Sequence, residues 1–129
     1  MTVLVGYVPT PEGDAAFSAA LQEARRRSES LVVLNSPQGG APVSVDVAPD
    51  PAVRRMNERA EADGVTLELR QAAHSGDAAD EVLRVAQEVD ASVIVIGLRK
   101  RSAVGKLLMG SVAQRILLDA DRPVLAVKP

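Results

Sequence analysis

The 129-residue chain contains no cysteine. That absence removes disulfides, thiolate nucleophiles and cysteine-ligated metals together, and it fits a reducing compartment. Aromatic residues are nearly missing too: Tyr7 and Phe17 stand alone, which leaves almost nothing on which bases could stack. The net charge is −2, so no global basic field holds a polyanionic backbone. Together these features argue against nucleic-acid binding as the main task. No apolar run is long enough to cross a bilayer. The opening Met1-Thr2-Val3-Leu4-Val5 lacks a basic flank and is soon broken by Gly6 and Pro9, unlike a signal peptide. The expectation is a cytoplasmic protein with no membrane partner. His74 is the sole histidine, so a histidine-based metal site is unavailable, and no acidic cluster has metal-loop spacing. His74, Ser75 and Asp77 are near-neighbours in one loop. Triad members converge from separate segments, so these three predict no hydrolytic centre.

What is present is a regular alternation of strands and helices. Hydrophobic residues make up 47% of the chain, enough for one domain with a substantial core, spanning residues 1–129. Thr2 to Val8 reads as a central strand, stopped by Pro9-Thr10-Pro11. Thr10 suits a helix N-cap and Pro11 the first helical position, where its missing N–H costs nothing. The helix that follows carries Ala16, Phe17, Ala20, Leu21 and Ala24 inward, with Arg25-Arg26-Arg27 as a solvated last turn. Leu31 to Leu34 is a second buried strand. Asn35 to Pro51, rich in Gly, Pro, Ser and Asp, reads as a mobile loop with a short extended piece at Val43 to Val47. A second helix is expected from about Pro51 to Asp63, with a thin stripe of Val53, Met56 and Ala60, closed by Gly64. Val65 to Arg70 alternates apolar and polar residues, as a half-exposed edge strand does. Ser75-Gly76-Asp77 then leads into a third helix with Ala78, Val82, Leu83, Ala86 and Val89 inward.

The stretch Val93 to Ala113 carries the chemistry. It opens with Val93-Ile94-Val95-Ile96, a buried strand closed by Gly97. A basic loop follows (Arg99, Lys100, Arg101 and, further on, Lys106), and then Gly110-Ser111 before a fourth helix patterned on Val112, Ala113, Ile116, Leu117 and Ala120. Such a segment offers free N–H groups, a helix dipole and cations to an anion, most naturally a phosphate. A solvated loop accounts equally for the charges. Ser111-Val112-Ala113-Gln114 also matches an S-x-x-Q capping box, which explains the serine without a ligand, although a capping hydroxyl keeps a proton to donate. Neither a G-x4-G-K-[S/T] nor a G-x-G-x-x-G pattern is present. Arg122 to Val127 closes the chain as a fifth strand. The β-α-β-α-β-α-β-α-β order predicts an α/β fold with a mostly parallel sheet covered on both faces. Ligands in such sheets sit past the carboxyl ends of strands where the strand order reverses, here after the first and fourth strands.

With Gly97, Gly110-Ser111 and the closing Arg122-Pro123-Val124-Leu125-Ala126-Val127, the sequence resembles the universal stress protein family along essentially its whole length. The family pattern is G-x2-G-x9-G-[S/T] followed by a helix and a strand of the PVLVV type. The resemblance implies a five-stranded parallel sheet of order 3-2-1-4-5, like the adenine-nucleotide alpha-hydrolase fold. It also implies ATP or AMP, with magnesium if ATP, bound between the first and fourth strands. The residues implied for that site are Tyr7, Val8, Pro9, Ser36, Gly97, Arg99, Lys100, Gly110, Ser111, Val112 and Ala113.

Two positions depart from the family pattern. Lys100 stands where the second glycine belongs, placing a long side chain where backbone approaches phosphate. Val8 ends the first strand where nucleotide-binding members carry an aspartate. The reading is a non-catalytic stress-response protein with a weak or altered adenine-nucleotide pocket. The alternative is a competent ATP or AMP binder using Lys100 as a phosphate contact, and ATP hydrolysis ranks third. Family members usually dimerise through the last strand. Apolar on both faces at a sheet edge, Pro123, Val124, Leu125, Ala126 and Val127 predict a homodimer here.

Overall fold

A computed structural model describes residues 1–35, 51–71, 77–98 and 110–129. The elements alternate as expected: β1 (Thr2–Tyr7), α1 (Pro11–Arg27), β2 (Ser30–Asn35), α2 (Pro51–Ala62), β3 (Leu67–Gln71), α3 (Ala78–Glu88), β4 (Ala91–Gly97), α4 (Ser111–Asp119) and β5 (Val124–Val127). The five strands form one sheet of order β3-β2-β1-β4-β5, with every pairing parallel. The loop expected between Asn35 and Pro51, its extended piece at Val43 to Val47, and His74 with Ser75 lie outside the described residues.

The three central strands are apolar runs because each has two covered faces. Successive side chains point to opposite sides. Val3, Val5, Tyr7, Leu31, Val33, Val93 and Val95 therefore pack beneath α1 and α2, with Phe17 and Leu21 at the heart of that layer. Leu4, Val32, Leu34, Ile94 and Ile96 form the opposite layer beneath α3 and α4. Thr10 caps α1 through its hydroxyl, which accepts from the Gly13 N–H at 3.1 Å, and Pro11 occupies the first helical position. The thin stripe of α2 is buried as expected, and Arg59 on that helix lies 5.2 Å from the centre of the Phe17 ring.

Two expectations are corrected. The third strand begins at Leu67 rather than Val65 because Val65 is used to close α2. Its N–H donates to the Ala60 carbonyl at 2.8 Å, while Gly64, at φ 69°, donates to Glu61. This is the paired closing bond of a left-handed helix end. In α3 the buried residues are Ala79, Val82, Val85 and Ala86, with Glu81, whereas Ala78, Leu83 and Val89 are only half-buried. Both phases of the helix share Val82 and Ala86, so the apolar pattern alone did not separate them. The described structure starts the helix after Asp77, whose side chain accepts from the Ala79 N–H, and Ala79 turns toward the sheet.

Candidate functional site

A cavity of about 290 Å³ opens at the carboxyl ends of β1 and β4, where the strand order reverses. Its walls come from five elements. Gly6 and Val8 belong to β1 and its end, Glu12 and Gly13 to the first turn of α1, and Ala78 and Val82 to α3. Ile96 and Gly97 end β4, and Gly110, Ser111, Val112, Ala113 and Ile116 belong to the start of α4.

Of the residues expected from the sequence, the fold brings Val8, Gly97, Gly110, Ser111, Val112 and Ala113 around this one cavity. Tyr7 and Pro9 do not line it. Tyr7 has the opposite strand parity to Gly6 and Val8, so its ring enters the α1 layer, 2% exposed, and its hydroxyl donates to Asp14 at 3.2 Å. Ser36, Arg99 and Lys100, with Arg101 and Lys106, lie outside the described residues. The sequence reading missed Gly6, Glu12, Gly13, Ala78, Val82, Ile96 and Ile116. Only the close spacing of Gly13 to the Thr10 cap could have signalled one of them.

Two helix N-termini border the cavity, and they differ. The Thr10 hydroxyl caps α1. For α4 the cap residue is Gly110, at φ −66° and ψ 161°, and no side chain among the described residues caps the helix. The S-x-x-Q box expected at Ser111 therefore does not form. The Gly110 carbonyl accepts from the Gln114 N–H at 3.0 Å, which makes Ser111 the first helical residue instead of the cap. An uncapped first turn leaves N–H groups that an anion can take, with the positive end of the helix dipole behind them.

The glycines separate by what surrounds them. A Cβ on Gly97 would lie 2.2 Å from the Glu12 carbonyl oxygen, and one on Gly13 would lie 1.8 Å from that of Val8. Both residues are glycine because α1 is seated directly on the ends of β1 and β4. A Cβ on Gly110 would meet nothing within 4 Å among the described residues, and its backbone suits any residue. The described residues supply no reason for glycine at 110.

The α3 and α4 walls are tied together by Arg115. Its guanidinium donates to Asp77 at 2.7 Å and to Asp80, and forms an ion pair with Asp119 at 3.5 Å. Asp80 foremost, then Asp77, raises the guanidinium pKa above its ordinary value. The Asp77 carboxylate is thereby occupied twice, by a helix cap and an ion pair. Among the described residues no group of three His, Asp or Glu is placed to hold a metal ion.

The model of the universal stress protein family matches residues 1–128. A universal stress protein of Mycolicibacterium smegmatis is 43% identical over 127 residues, covering 98% of this chain and 97% of its own. The chain belongs to the universal stress protein family. Its five-stranded order is that of the family's solved structures. A universal stress protein in complex with cAMP superposes with a TM-score of 0.72 at 29% identity, covering 98% of this chain and 96% of its own. The universal stress protein of Archaeoglobus fulgidus in complex with dAMP gives 0.73 at 26% identity, covering 99% and 98%. The fold is therefore that of the adenine-nucleotide alpha-hydrolase-like proteins, and nucleotides are bound by two relatives of similar size. No helix among the described residues is long and apolar enough to cross a membrane.

Proposed function

We propose that this chain is a non-catalytic, cytoplasmic stress-response protein that binds an adenine nucleotide at the α4 end of the cavity, with modest affinity. The observation that carries the reading is Gly110. It is a glycine that neither packing nor backbone conformation requires among the described residues, heading an uncapped helix at the cavity rim. A phosphate approaching the first-turn N–H groups needs that open space. Apolar walls from Val8, Val82, Ile96 and Ile116 suit the flat face of a base. The cAMP and dAMP complexes of relatives support the ligand class. Modest affinity follows from Val8, an apolar side chain at the strand end. The cysteine-free composition fits a reducing cytoplasm.

The test is a thermal-shift series with AMP, and with ATP plus magnesium. A ligand that binds only the folded state raises the midpoint as its concentration passes its Kd. Gly110→Asn keeps a good capping residue but fills the open space. Its unliganded midpoint is expected to equal or exceed that of the parent, with the AMP response lost. A parent protein whose midpoint ignores both nucleotides at millimolar concentration would sink the proposal.

A further inference from the structure

The cavity has one charged residue among its described lining, and it is acidic. Glu12 lies in the first turn of α1, half-buried, with its backbone seated against Gly97. Its Cβ would stand 3.1 Å from a Cβ on Gly97, which itself borders the cavity, so the side chain leaves the helix at the rim. The dipole of α1 favours an acidic residue in this turn. That accounts equally for Asp14, which is not among the described lining of the cavity and accepts from Tyr7. It does not account for what the carboxylate does to a ligand.

A carboxylate repels phosphate and only accepts hydrogen bonds. At the opposite wall, the uncapped turn of α4 attracts phosphate and only donates. The two walls therefore sort the ends of a nucleotide. The base takes the apolar lining between them, and the remaining part, the sugar, carries two neighbouring hydroxyls that match the two oxygens of a carboxylate. A carboxylate has about four acceptor positions, so an internal partner does not exhaust it.

We propose that Glu12 is a specificity-determining residue of this cavity, accepting from the vicinal ribose hydroxyls of a bound mononucleotide and holding its phosphate at the α4 end. The inference rests on the nucleotide-binding reading above. It assigns the sugar contact to the first turn of α1, at a residue off the strand end.

Calorimetric titration with AMP and with 2′,3′-dideoxyadenosine monophosphate tests it, on the parent protein, Glu12→Ala and Glu12→Gln. The parent should prefer AMP by about tenfold or more, the worth of a hydrogen bond to a charged group. Glu12→Ala should bind both ligands alike, at the affinity the parent has for the dideoxy compound. Glu12→Gln, which keeps size and one acceptor, should retain part of the preference and guards against a variant that fails to fold. Unchanged or tighter AMP binding in Glu12→Ala overturns the proposal, since the carboxylate would then be idle or facing phosphate. Parent protein that binds both ligands equally overturns it too, while leaving nucleotide binding intact. Parent protein that binds neither removes the underlying reading and this one with it.

Discussion

Gly97 and Gly110 both belong to the family pattern, yet a methyl group at each has opposite consequences. At Gly97 the new Cβ would have to displace the Glu12 carbonyl oxygen, 2.2 Å away, and backbone cannot yield as a flexible side chain does. Overpacking of this kind costs about 1–3 kcal/mol. Gly97→Ala is therefore expected to lower the unfolding free energy by that amount, read from urea titration with no nucleotide present. Unchanged stability would mean that the first turn of α1 sits further from β4 than described. A second residue invites a substitution in the favourable direction. Asn35 is 1% exposed, and neither of its side-chain polar atoms has a hydrogen-bond partner among the described residues. An unpaired buried amide costs about 1–3 kcal/mol. Asn35→Leu, similar in shape, should therefore raise stability by roughly 1 kcal/mol in the same titration. A loss would show that the amide is paired after all, for instance through water.

Helix ends show what was and was not legible in the sequence. Thr10-Pro11 announced the start of α1 correctly, because cap and proline chemistry are local. Gly64 announced the end of α2 for the same reason. Ser111 misled, since an S-x-x-Q string is compatible with a cap at Ser111 or one residue earlier, and only the position of the Gln114 N–H over the Gly110 carbonyl decides. The strand alternation was readable because burial on two faces leaves continuous apolar runs, whereas the sheet order β3-β2-β1-β4-β5 was implied by the family resemblance. The cavity was readable at the end of β1, through Val8, and on the β4–α4 side, where the glycine pattern lies. The α1 and α3 walls come from residues whose proximity depends on how helices seat on the sheet, and nothing local records that. The end of α1 offers its own test. Ser28 holds the left-handed position at φ 54°, and the N–H of Glu29 closes the helix on Ala24. This is the arrangement that Gly64 serves in α2. A non-glycine residue there pays about 1–2 kcal/mol, partly offset by the entropy glycine loses on folding. Ser28→Gly should raise stability by about 0.5–1 kcal/mol, read from the shift in thermal midpoint. A fall would mean the serine side chain has a stabilising role at that end.

At the scale of the whole molecule, the two ends of the sheet are finished differently. β3 carries Glu68 and Arg70, an ion pair at 2.9 Å, charges that discourage strand addition. β5 carries Val124-Leu125-Ala126-Val127, all four half-buried, with no strand beyond it among the described residues. Its neighbour α4 buries only Ile116 fully and leaves Leu117 and Leu118 exposed, the latter at 75%. Last strand and last helix thus look like one unfinished surface. The Pro123 and Val127 carbonyls accept from Ile94 on β4 and from Leu98 just past its end, so the alternate residues, Val124 and Ala126, turn their backbone outward. Two copies pairing these groups about a two-fold axis would extend the sheet and cover the leucines. Light scattering at micromolar concentration should give twice the chain mass. Ala126→Pro removes an outward N–H without touching the bonds to β4, and proline is tolerated on an edge. It should convert the dimer to monomer with the far-ultraviolet spectrum preserved. A parent protein of monomer mass refutes the assembly outright. A dimer that survives Ala126→Pro would move the contact from the β5 backbone to the exposed leucines of α4.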